Sequence, residues 1–250
     1  MKLALIGYGK MGRIIETMAL ARGHEIVAIV DPEVRDRAIP HLTAEAVAPA
    51  EVCIEFTRPN AATGNLLRLC QLGKRVVTGT TGWYQRLDEV AAVVEKHKGA
   101  VVYGANFSVG VNLFYKLVER AAELFGSLGD RDIFISETHH RAKADAPSGT
   151  AKRLAEIVLS KSTTKKHTAP PLLEGAISPD HLQVVSTRTG WVTGVHRVGI
   201  ESPHDSIVLQ HQAYSREGFA DGALRAAEWL VTAKPGLYRF EDVLDELIKT

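Results

Sequence analysis

Short apolar runs alternate with amphipathic segments through the first hundred residues. The segments between the runs have apolar side chains at helical spacing, as at Leu87, Val90 and Val94. Uninterrupted apolar strands that alternate with helices are typical of a parallel sheet covered on both faces. The pattern therefore predicts an N-terminal, Rossmann-like doubly wound α/β domain. Its expected strands are Leu3–Ile6, Glu25–Val30, Val52–Thr57, Arg75–Thr78 and Ala100–Tyr103.

The pattern changes after Gly104. Helical spacing returns in Val111–Phe125 and Ser148–Leu159, with a predicted strand at Ile133–Ser136 between them. The polar stretch 160–181 predicts a long loop. Only turns separate the next three apolar runs, which favours antiparallel pairing in an α+β domain with a largely antiparallel sheet. These runs are Leu182–Arg188, Trp191–Gly199 and Ile207–Gln212, and two further helices are expected at Ala220–Leu230 and Glu241–Ile248.

Composition and charge exclude several classes of protein. Of the 250 residues, 45% are hydrophobic and 24% are charged, as in ordinary globular chains. Thirty basic and twenty-nine acidic residues leave a net charge of +1, which argues against a protein that coats nucleic acid. Cys53 and Cys70 lie among apolar neighbours without the spacing of a zinc site or a disulfide scaffold, so no metal is expected. The apolar runs are too short for a signal peptide or a membrane span, which favours the cytoplasm.

A glycine-rich turn indicates a dinucleotide site. It follows the first predicted strand and begins a helix, where backbone amides can approach a pyrophosphate. Asp31 ends the second strand, about where a carboxylate would bind the adenosine ribose. Taken alone, the glycines could form an ordinary turn and Asp31 could cap a helix. The order of strand, glycines, helix, second strand and terminal acid favours dinucleotide binding instead. The residues of the turn are Gly7, Tyr8, Gly9, Lys10, Met11 and Gly12.

Three more strand ends carry small or polar residues, which open α/β sheets place at the ligand-binding edge. Each could be an ordinary turn, and their convergence on one edge favours binding of the nicotinamide end of the cofactor. They are Phe56-Thr57-Arg58, Gly79-Thr80-Thr81 and Gly104-Ala105-Asn106-Phe107. Asp31 would repel a 2′-phosphate, which favours NADH, although Lys10, Arg13 or Arg35 could still reach a phosphate.

The densest polar cluster is Glu137–Thr150, which runs from a strand end into a helix. Ser148 is a suitable N-cap, and the amides that follow it would point outward toward an anion. Solvated histidines or a metal site would also explain His139 and His140, but adjacent residues of an extended segment face opposite ways and rarely share a metal. Cations beside a helix N-terminus indicate a site for a carboxylate that also donates a proton.

This cluster, Glu137-Thr-His-His-Arg-Ala-Lys-Ala-Asp-Ala-Pro-Ser-Gly-Thr-Ala151, closely resembles the signature of the 4-hydroxy-tetrahydrodipicolinate (dihydrodipicolinate) reductases. The resemblance covers nearly the whole chain and includes the strand-end turns and the segment Ser215–Ala223. It implies NAD(P)H-dependent reduction of a cyclic unsaturated dicarboxylate in lysine and diaminopimelate biosynthesis. It further implies a homotetramer formed through the second domain's sheet, and two domains that close over the substrate.

The resemblance also implies roles for individual residues. His139 takes the position of the general acid/base, and Lys143 that of a second proton donor. The substrate's carboxylates would be held by His140, Lys143, Ser148, Gly149, Thr150 and Thr81. The cofactor contacts would come from Gly7–Gly12, Asp31, Phe56–Arg58, Gly79–Thr81 and Gly104–Phe107. Residues 1–106 with 218–250 would form the dinucleotide-binding domain, and residues 107–217 the substrate-binding and oligomerisation domain.

The chain departs from the family pattern in two places. The glycine turn is one residue shorter, with Lys10 where Arg is usual, and Glu55 stands where Asp is common. These differences leave the reaction intact and leave NADPH open beside NADH. Another dehydrogenase of a small imine or keto acid, and a non-catalytic dinucleotide sensor, are the competing interpretations. A sensor would not need a proton donor beside an anion site.

Overall fold

The computed structural model describes residues 1–170 and 175–249, which divide into two compact units. The first unit comprises Met1–Val109 and Arg216–Thr250, and the second comprises Gly110–Ser215. Within the described residues, no helix has both the length and the apolar character needed to cross a bilayer.

The first unit contains a six-stranded, fully parallel sheet in the order β11-β5-β4-β3-β1-β2. Its strands are β1 (Lys2–Ile6), β2 (Glu25–Val30), β3 (Val52–Glu55), β4 (Arg75–Thr78), β5 (Ala100–Tyr103) and β11 (Gly236–Arg239). Its helices are α1 (Lys10–Ala21), α2 (Ala44–Val47), α3 (Pro59–Gln71), α4 (Leu87–His97), α7 (Glu217–Leu230) and α8 (Phe240–Leu247), with a 3₁₀ turn at Tyr84–Arg86.

Alternation along the strands gives this sheet two apolar faces. Leu3 and Leu5 face a core with α1, α7 and α8, whereas Ala4 and Ile6 face a second core with α3 and α4. The strand order reverses between β1 and β3, so ligands are expected at the carboxyl ends of these two strands. The predicted doubly wound architecture is confirmed. The short strand β11 was not predicted, because its four residues contain no apolar run.

The second unit contains a five-stranded mixed sheet in the order β10-β9-β6-β8-β7, with α5 and α6. Its elements are α5 (Val109–Phe125), β6 (Asp132–His139), α6 (Gly149–Lys161), β7 (His167–Thr168), β8 (His181–Arg188), β9 (Val195–Glu201) and β10 (Ser206–Gln212). The helices cover the face that carries Ile133, Ile135, Val198 and Ile200. The α+β fold class is confirmed.

Three local predictions for this sheet were wrong. The runs that became β8 and β9 do not form a hairpin, because β6 lies between them, parallel to β8 and antiparallel to β9. Strand β9 begins at Val195, and Trp191 lies in the preceding loop with its side chain exposed. In the predicted loop 160–181, His167–Thr168 pairs with β8. Residues 171–174 of that prediction lie outside the described residues.

Candidate active site

The glycine turn of the first unit has the close backbone packing that a phosphate cradle needs. Gly7 has a φ of 93°, and a Cβ there would lie 2.2 Å from the carbonyl oxygen of Phe56. A Cβ on Gly12 would lie 2.4 Å from the carbonyl oxygen of Gly7. Among the described residues no side chain caps α1, and its first turn contains no acidic residue. The open amides and positive end of α1 therefore suit the pyrophosphate of a dinucleotide.

Asp31 lies directly beside this turn. Its Oδ2 accepts a hydrogen bond from the amide of Tyr8 (2.7 Å), and its Oδ1 accepts one from the amide of Glu33 (2.8 Å). The side chain of Tyr8 is buried, and its hydroxyl contacts Glu16 and Arg37 rather than the surface. The structure thus brings the Asp31 carboxylate to the glycine turn. The Tyr8 ring packs in the core beneath the turn and stabilises the turn.

The ends of β3 and β4 are joined by a buried acid. Glu55 accepts hydrogen bonds from the hydroxyls of Thr57 and Thr78, the latter at 2.6 Å. The amide of Thr57 donates to the hydroxyl of Thr80 (2.8 Å). Glu55 is one of the departures from the family pattern. Its hydrogen bonds hold in place the turns after β3 and β4, which contain Thr57 and Thr80.

The remaining predicted cofactor positions differ in what they expose. A Cβ on Gly79 would overlap the ring of Phe56, so glycine is needed for these two turns to meet. Phe107 is buried against Phe240, with ring centroids 4.5 Å apart, and only its backbone is left for a ligand. Arg58 is exposed and pairs with Glu33 (2.6 Å), and Thr81 is also exposed.

The polar cluster of the second unit begins where an apolar strand face becomes polar. Alternate residues of β6 face the helices, so Ile133 and Ile135 are followed on the same face by Glu137 and His139. All four side chains are buried. The antiparallel register places His196 opposite Glu137 on this face. The end of the hydrophobic core nearest the start of α6 is therefore built from ionisable groups.

Glu137 is the centre of this group. Its Oε1 accepts hydrogen bonds from Arg188 Nη2 (2.7 Å) and the Ser148 amide (3.1 Å), and its Oε2 contacts Nδ1 of His139. Burial disfavours the charged carboxylate, but these donors, led by Arg188, lower the pKa of Glu137 to about 2. Burial also lowers the pKa of His139, an effect that Glu137 partly offsets.

His196 forms the second side of the cluster. Its ring lies 5.0 Å from that of His139, and its Nε2 is 3.1 Å from the hydroxyl oxygen of Ser148. Burial, followed by the neighbouring His139, lowers the pKa of His196 to about 4. His196 is therefore neutral near pH 7. It stays neutral at mildly acidic pH, where an exposed histidine would be protonated.

The first turn of α6 has backbone amides that are available to bind an anion. Ser148 caps it, with its hydroxyl oxygen accepting from the Ala151 amide (3.2 Å). The internal hydrogen-bond ladder begins with the Lys152 amide. Within the described part of the chain, the amides of Gly149 and Thr150 are the two left for a carboxylate.

The other predicted residues of this cluster lie on the segment between β6 and α6. Lys143 forms an ion pair with Asp145 at 2.7 Å, which lowers the pKa of Asp145 through a hydrogen bond. His140 is half-buried and accepts a hydrogen bond from the Lys143 amide at its carbonyl oxygen (3.1 Å). A donor ammonium is thus held near the same helix end.

Three residues of the cluster were not predicted to have a role. Glu137 was part of the motif without a role, and Arg188 was expected only as a strand residue. His196 was expected in a strand that could line the binding face of this domain and was not assigned to the site. Their meeting depends on β6 pairing with both β8 and β9, which no local pattern in the sequence indicates. The available signal in the sequence was that these polar residues stand among the apolar positions of predicted strands, where a side chain faces the core.

A metal ion is the alternative use of these side chains. Ligand atoms of Glu137, His139 and His196 lie within 4.8 Å of one another. The guanidinium of Arg188 already neutralises Glu137, however, and a second cation would be repelled by it. The two donors at Oε1 and the His139 contact at Oε2 account for the carboxylate without a metal.

Comparisons with known proteins match both units. Residues 1–107 match the family model for the dihydrodipicolinate reductase N-terminus, and residues 110–244 match that for its C-terminus. A 4-hydroxy-tetrahydrodipicolinate reductase from Christiangramia forsetii is 36% identical over 249 residues, covering 100% of both chains. One from Archaeoglobus fulgidus is 38% identical and covers 98% of this chain and 100% of its own.

A solved structure shares the fold. Dipicolinate-bound dihydrodipicolinate reductase from Paenisporosarcina sp. TG-14 superposes with a TM-score of 0.79 at 24% identity, covering 97% of this chain and 98% of that one. The resemblance identified in the sequence is confirmed by the two family models and the full-length relatives. The chain belongs to the dihydrodipicolinate reductase family.

Proposed function

We propose that this chain catalyses the NAD(P)H-dependent reduction of 4-hydroxy-tetrahydrodipicolinate to tetrahydrodipicolinate in lysine and diaminopimelate biosynthesis. The observation that carries the proposal is the buried Glu137–His139 pair beside the open amides of α6. This arrangement offers a proton at one point and binds a carboxylate at another. A cyclic dicarboxylate that gains a hydride needs both.

The residues of the second unit serve the substrate in this proposal. Gly149 and Thr150 offer amides to one carboxylate, with the hydroxyl of Ser148 beside them. His140 and Lys143 contribute polar and positive groups on the segment before α6, and Thr81 of the first unit is assigned to the substrate as well. His139 is the acid/base, and Lys143 is the second donor.

The residues of the first unit serve the cofactor. A bound reduced nicotinamide dinucleotide would supply the hydride. The open end of α1 and the turn Gly7–Gly12 hold the pyrophosphate, and Asp31 accepts hydrogen bonds from the ribose. The turns Phe56–Arg58, Gly79–Thr81 and Gly104–Phe107 hold the nicotinamide end, Phe107 through its backbone.

Proton transfer follows from charge. Loss of water from the hydroxylated ring leaves a conjugated imine, and the hydride brings two electrons to it. Because this addition builds negative charge on the ring, His139 or Lys143 delivers a proton that neutralises it. The positive helix end and Lys143 stabilise the substrate's carboxylates throughout.

NADH is the proposed preferred cofactor. Asp31 places a carboxyl group at the end of β2, where the 2′-phosphate of NADPH would approach, whereas the Glu33 carboxylate is paired with Arg58. Arg13 and Arg37 lie over the Tyr8 ring, 4.6 and 5.6 Å from its centroid, so cations are present near this turn. Arg37 is bound to Glu16, which reduces its attraction for a phosphate.

We also propose a homotetramer and a cytoplasmic location. The sheet face opposite α5 and α6 carries Phe134, Val185 and Val208, and the last two side chains are 40% and 54% exposed. Exposed apolar side chains on a sheet face are typical of an interface. The place of the reaction in amino-acid biosynthesis supports the cytoplasm.

One assay tests the reaction. Freshly formed 4-hydroxy-tetrahydrodipicolinate is added to the protein with NADH or NADPH, and the loss of absorbance at the reduced nicotinamide band is followed. We expect oxidation with both cofactors and faster turnover with NADH. Folded protein that oxidises neither would refute the proposed reaction.

A further inference from the structure

We propose that Glu137, held in place by Arg188, is a positioning residue that makes Nε2 of His139 the atom that exchanges a proton with the substrate. The inference rests on the proposed function, since it concerns the acid/base of that reaction. It goes further by assigning the atom that exchanges the proton, Nε2 of His139. It also assigns Glu137 as the residue that selects this atom and Arg188 as the residue that holds Glu137 in place. None of these follows from the motif alone.

The contacts of Glu137 determine which nitrogen of His139 is protonated. The carboxylate is 1% exposed; its Oε1 accepts hydrogen bonds from Arg188 and the Ser148 amide, and its Oε2 lies in direct contact with Nδ1 of His139. An ionised carboxylate only accepts hydrogen bonds, so Nδ1 of His139 must carry hydrogen. In the neutral ring, the lone pair is therefore at Nε2.

Nε2 is also held from its other side. A Cβ added to Gly194 would lie only 3.0 Å from Nε2 of His139, so the loop before β9 passes close to this atom. The ring is thus bounded by Glu137 at Nδ1 and by the loop at Gly194 near Nε2. A fixed ring keeps the exchanging atom in one place, as acid/base catalysis requires.

Glu137 connects this atom to the anion site. Its Oε1 accepts the amide of Ser148, the N-cap of α6, whose next two amides are assigned to a carboxylate. One side chain therefore anchors both the proton donor and the start of the anion-binding turn. Arg188 supports the same junction, because its Nη2 also donates to the Asp145 carbonyl (2.6 Å).

The charges around His139 make the anionic partner necessary. His196 faces it from β9, Arg188 from β8 and Lys143 from the segment before α6, and the two cations oppose its protonation. Glu137, on its own strand, is the group that favours the charged ring. Without the carboxylate, the imidazolium formed during proton exchange would lose the negative charge that stabilises it.

The variant E137Q tests this assignment. Its amide oxygen can still accept from Arg188 and Ser148, whereas its amide nitrogen donates and would turn Nδ1 of His139 into an acceptor. In ¹⁵N spectra, with the signal assigned through H139Q, we expect the wild-type ring protonated at Nδ1 and the E137Q ring at Nε2. We expect kcat to fall about 10²-fold with an unchanged Kd for NADH.

The outcomes separate this inference from the proposed reaction. If wild-type protein does not oxidise NADH or NADPH, the proposed reaction fails, while the tautomer measurement still decides which nitrogen Glu137 selects. If E137Q keeps the wild-type tautomer or the wild-type kcat, Glu137 is not the selector. E156Q makes the same chemical change on the exposed face of α6, where Glu156 pairs with Arg153, and should leave tautomer and kcat unchanged.

A second variant covers a folding failure of E137Q. R188Q keeps the carboxylate but removes its cation, which raises the pKa values of both Glu137 and His139. As the pH falls, the neutral ring protonated at Nδ1 and kcat should then be lost at higher pH than in the wild type. R188K, which retains the charge, should restore part of the difference. Identical pH profiles for wild type and R188Q would overturn the role of Arg188 and Glu137.

Discussion

His139 and Lys143 are the two proposed proton donors, but their surroundings differ. His139 is buried beside Glu137, whereas Lys143 is partly exposed and paired with Asp145. We expect H139Q and K143A each to lower kcat by about 10²–10⁴-fold, because a positioned acid or base contributes that much. Stopped-flow turnover measures this, and NADH fluorescence titration should give unchanged affinity. Wild-type turnover in the double variant would place the proton donor elsewhere.

Asp31 is the residue on which we expect cofactor choice to depend. Its carboxylate receives two backbone amides and lies at the end of β2, so its charge is fixed beside the turn. We expect D31N, which keeps the shape and one acceptor oxygen, to lower the NADH:NADPH ratio of kcat/KM about tenfold by removing repulsion of the 2′-phosphate. D88N makes the same change at an exposed position of α4 and is the matched control. An unchanged ratio would assign the preference to other residues of the turn.

The elements of the first unit were predictable because each depends on local pattern. Apolar runs of four to six residues and the helices between them specify a βαβ arrangement with little help from distant residues. β11 is the exception, since Gly236–Arg239 forms a strand only by pairing with β5. The glycine turn was found from the sequence, but the burial of Tyr8 and Phe107 was not.

The second sheet was less predictable because its order depends on long-range pairing. Turn residues between β8 and β9 indicated a hairpin, yet β6 pairs with both strands and separates them. This insertion also brings Arg188 and His196 to Glu137. The contiguous motif residues were therefore found from the sequence, whereas their supporting partners required the strand order.

The loop between β8 and β9 limits the space around His139. We expect G194A to lower kcat about tenfold, because the new methyl group would sit 3.0 Å from Nε2 and displace the ring by a few tenths of an ångström. Steady-state kinetics and thermal unfolding should show a larger effect on kcat than on stability. G129A adds a methyl group that meets nothing within 4 Å and serves as the control. Equal kcat for G194A and wild type would contradict the close approach.

The stability of the whole molecule should fall in mild acid because of His196. Its pKa is about 4 in the folded chain and near 6.5 when unfolded, so between these values the unfolded state binds the extra proton. The free energy of unfolding should therefore decrease as pH falls from 6.5 to 4, by roughly 2–3 kcal/mol from this group, and the effect should then level off.

H196N tests that contribution, because asparagine keeps a donor for Ser148 and does not titrate in this range. Urea unfolding at pH 7 and pH 5 should show a smaller acid loss for H196N than for the wild type. Glu137 contributes only at lower pH, since its stabilisation is present above pH 4.5 and is lost as pH falls toward 2. H204N, at an exposed turn, should keep the wild-type slope, and an equal slope for H196N would exclude His196 as the cause.

Assembly should depend on the sheet face that the helices leave uncovered. Phe134 lies across Gly199 on this face, and Val185 and Val208 are exposed there. A lysine in place of Val208 would add a charge that a buried interface cannot solvate, so we expect V208K to dissociate the proposed tetramer. Sedimentation equilibrium should show smaller species for V208K. L20K, which alters an equally exposed leucine of α1, should remain tetrameric; a tetramer in V208K would place the interface on another surface.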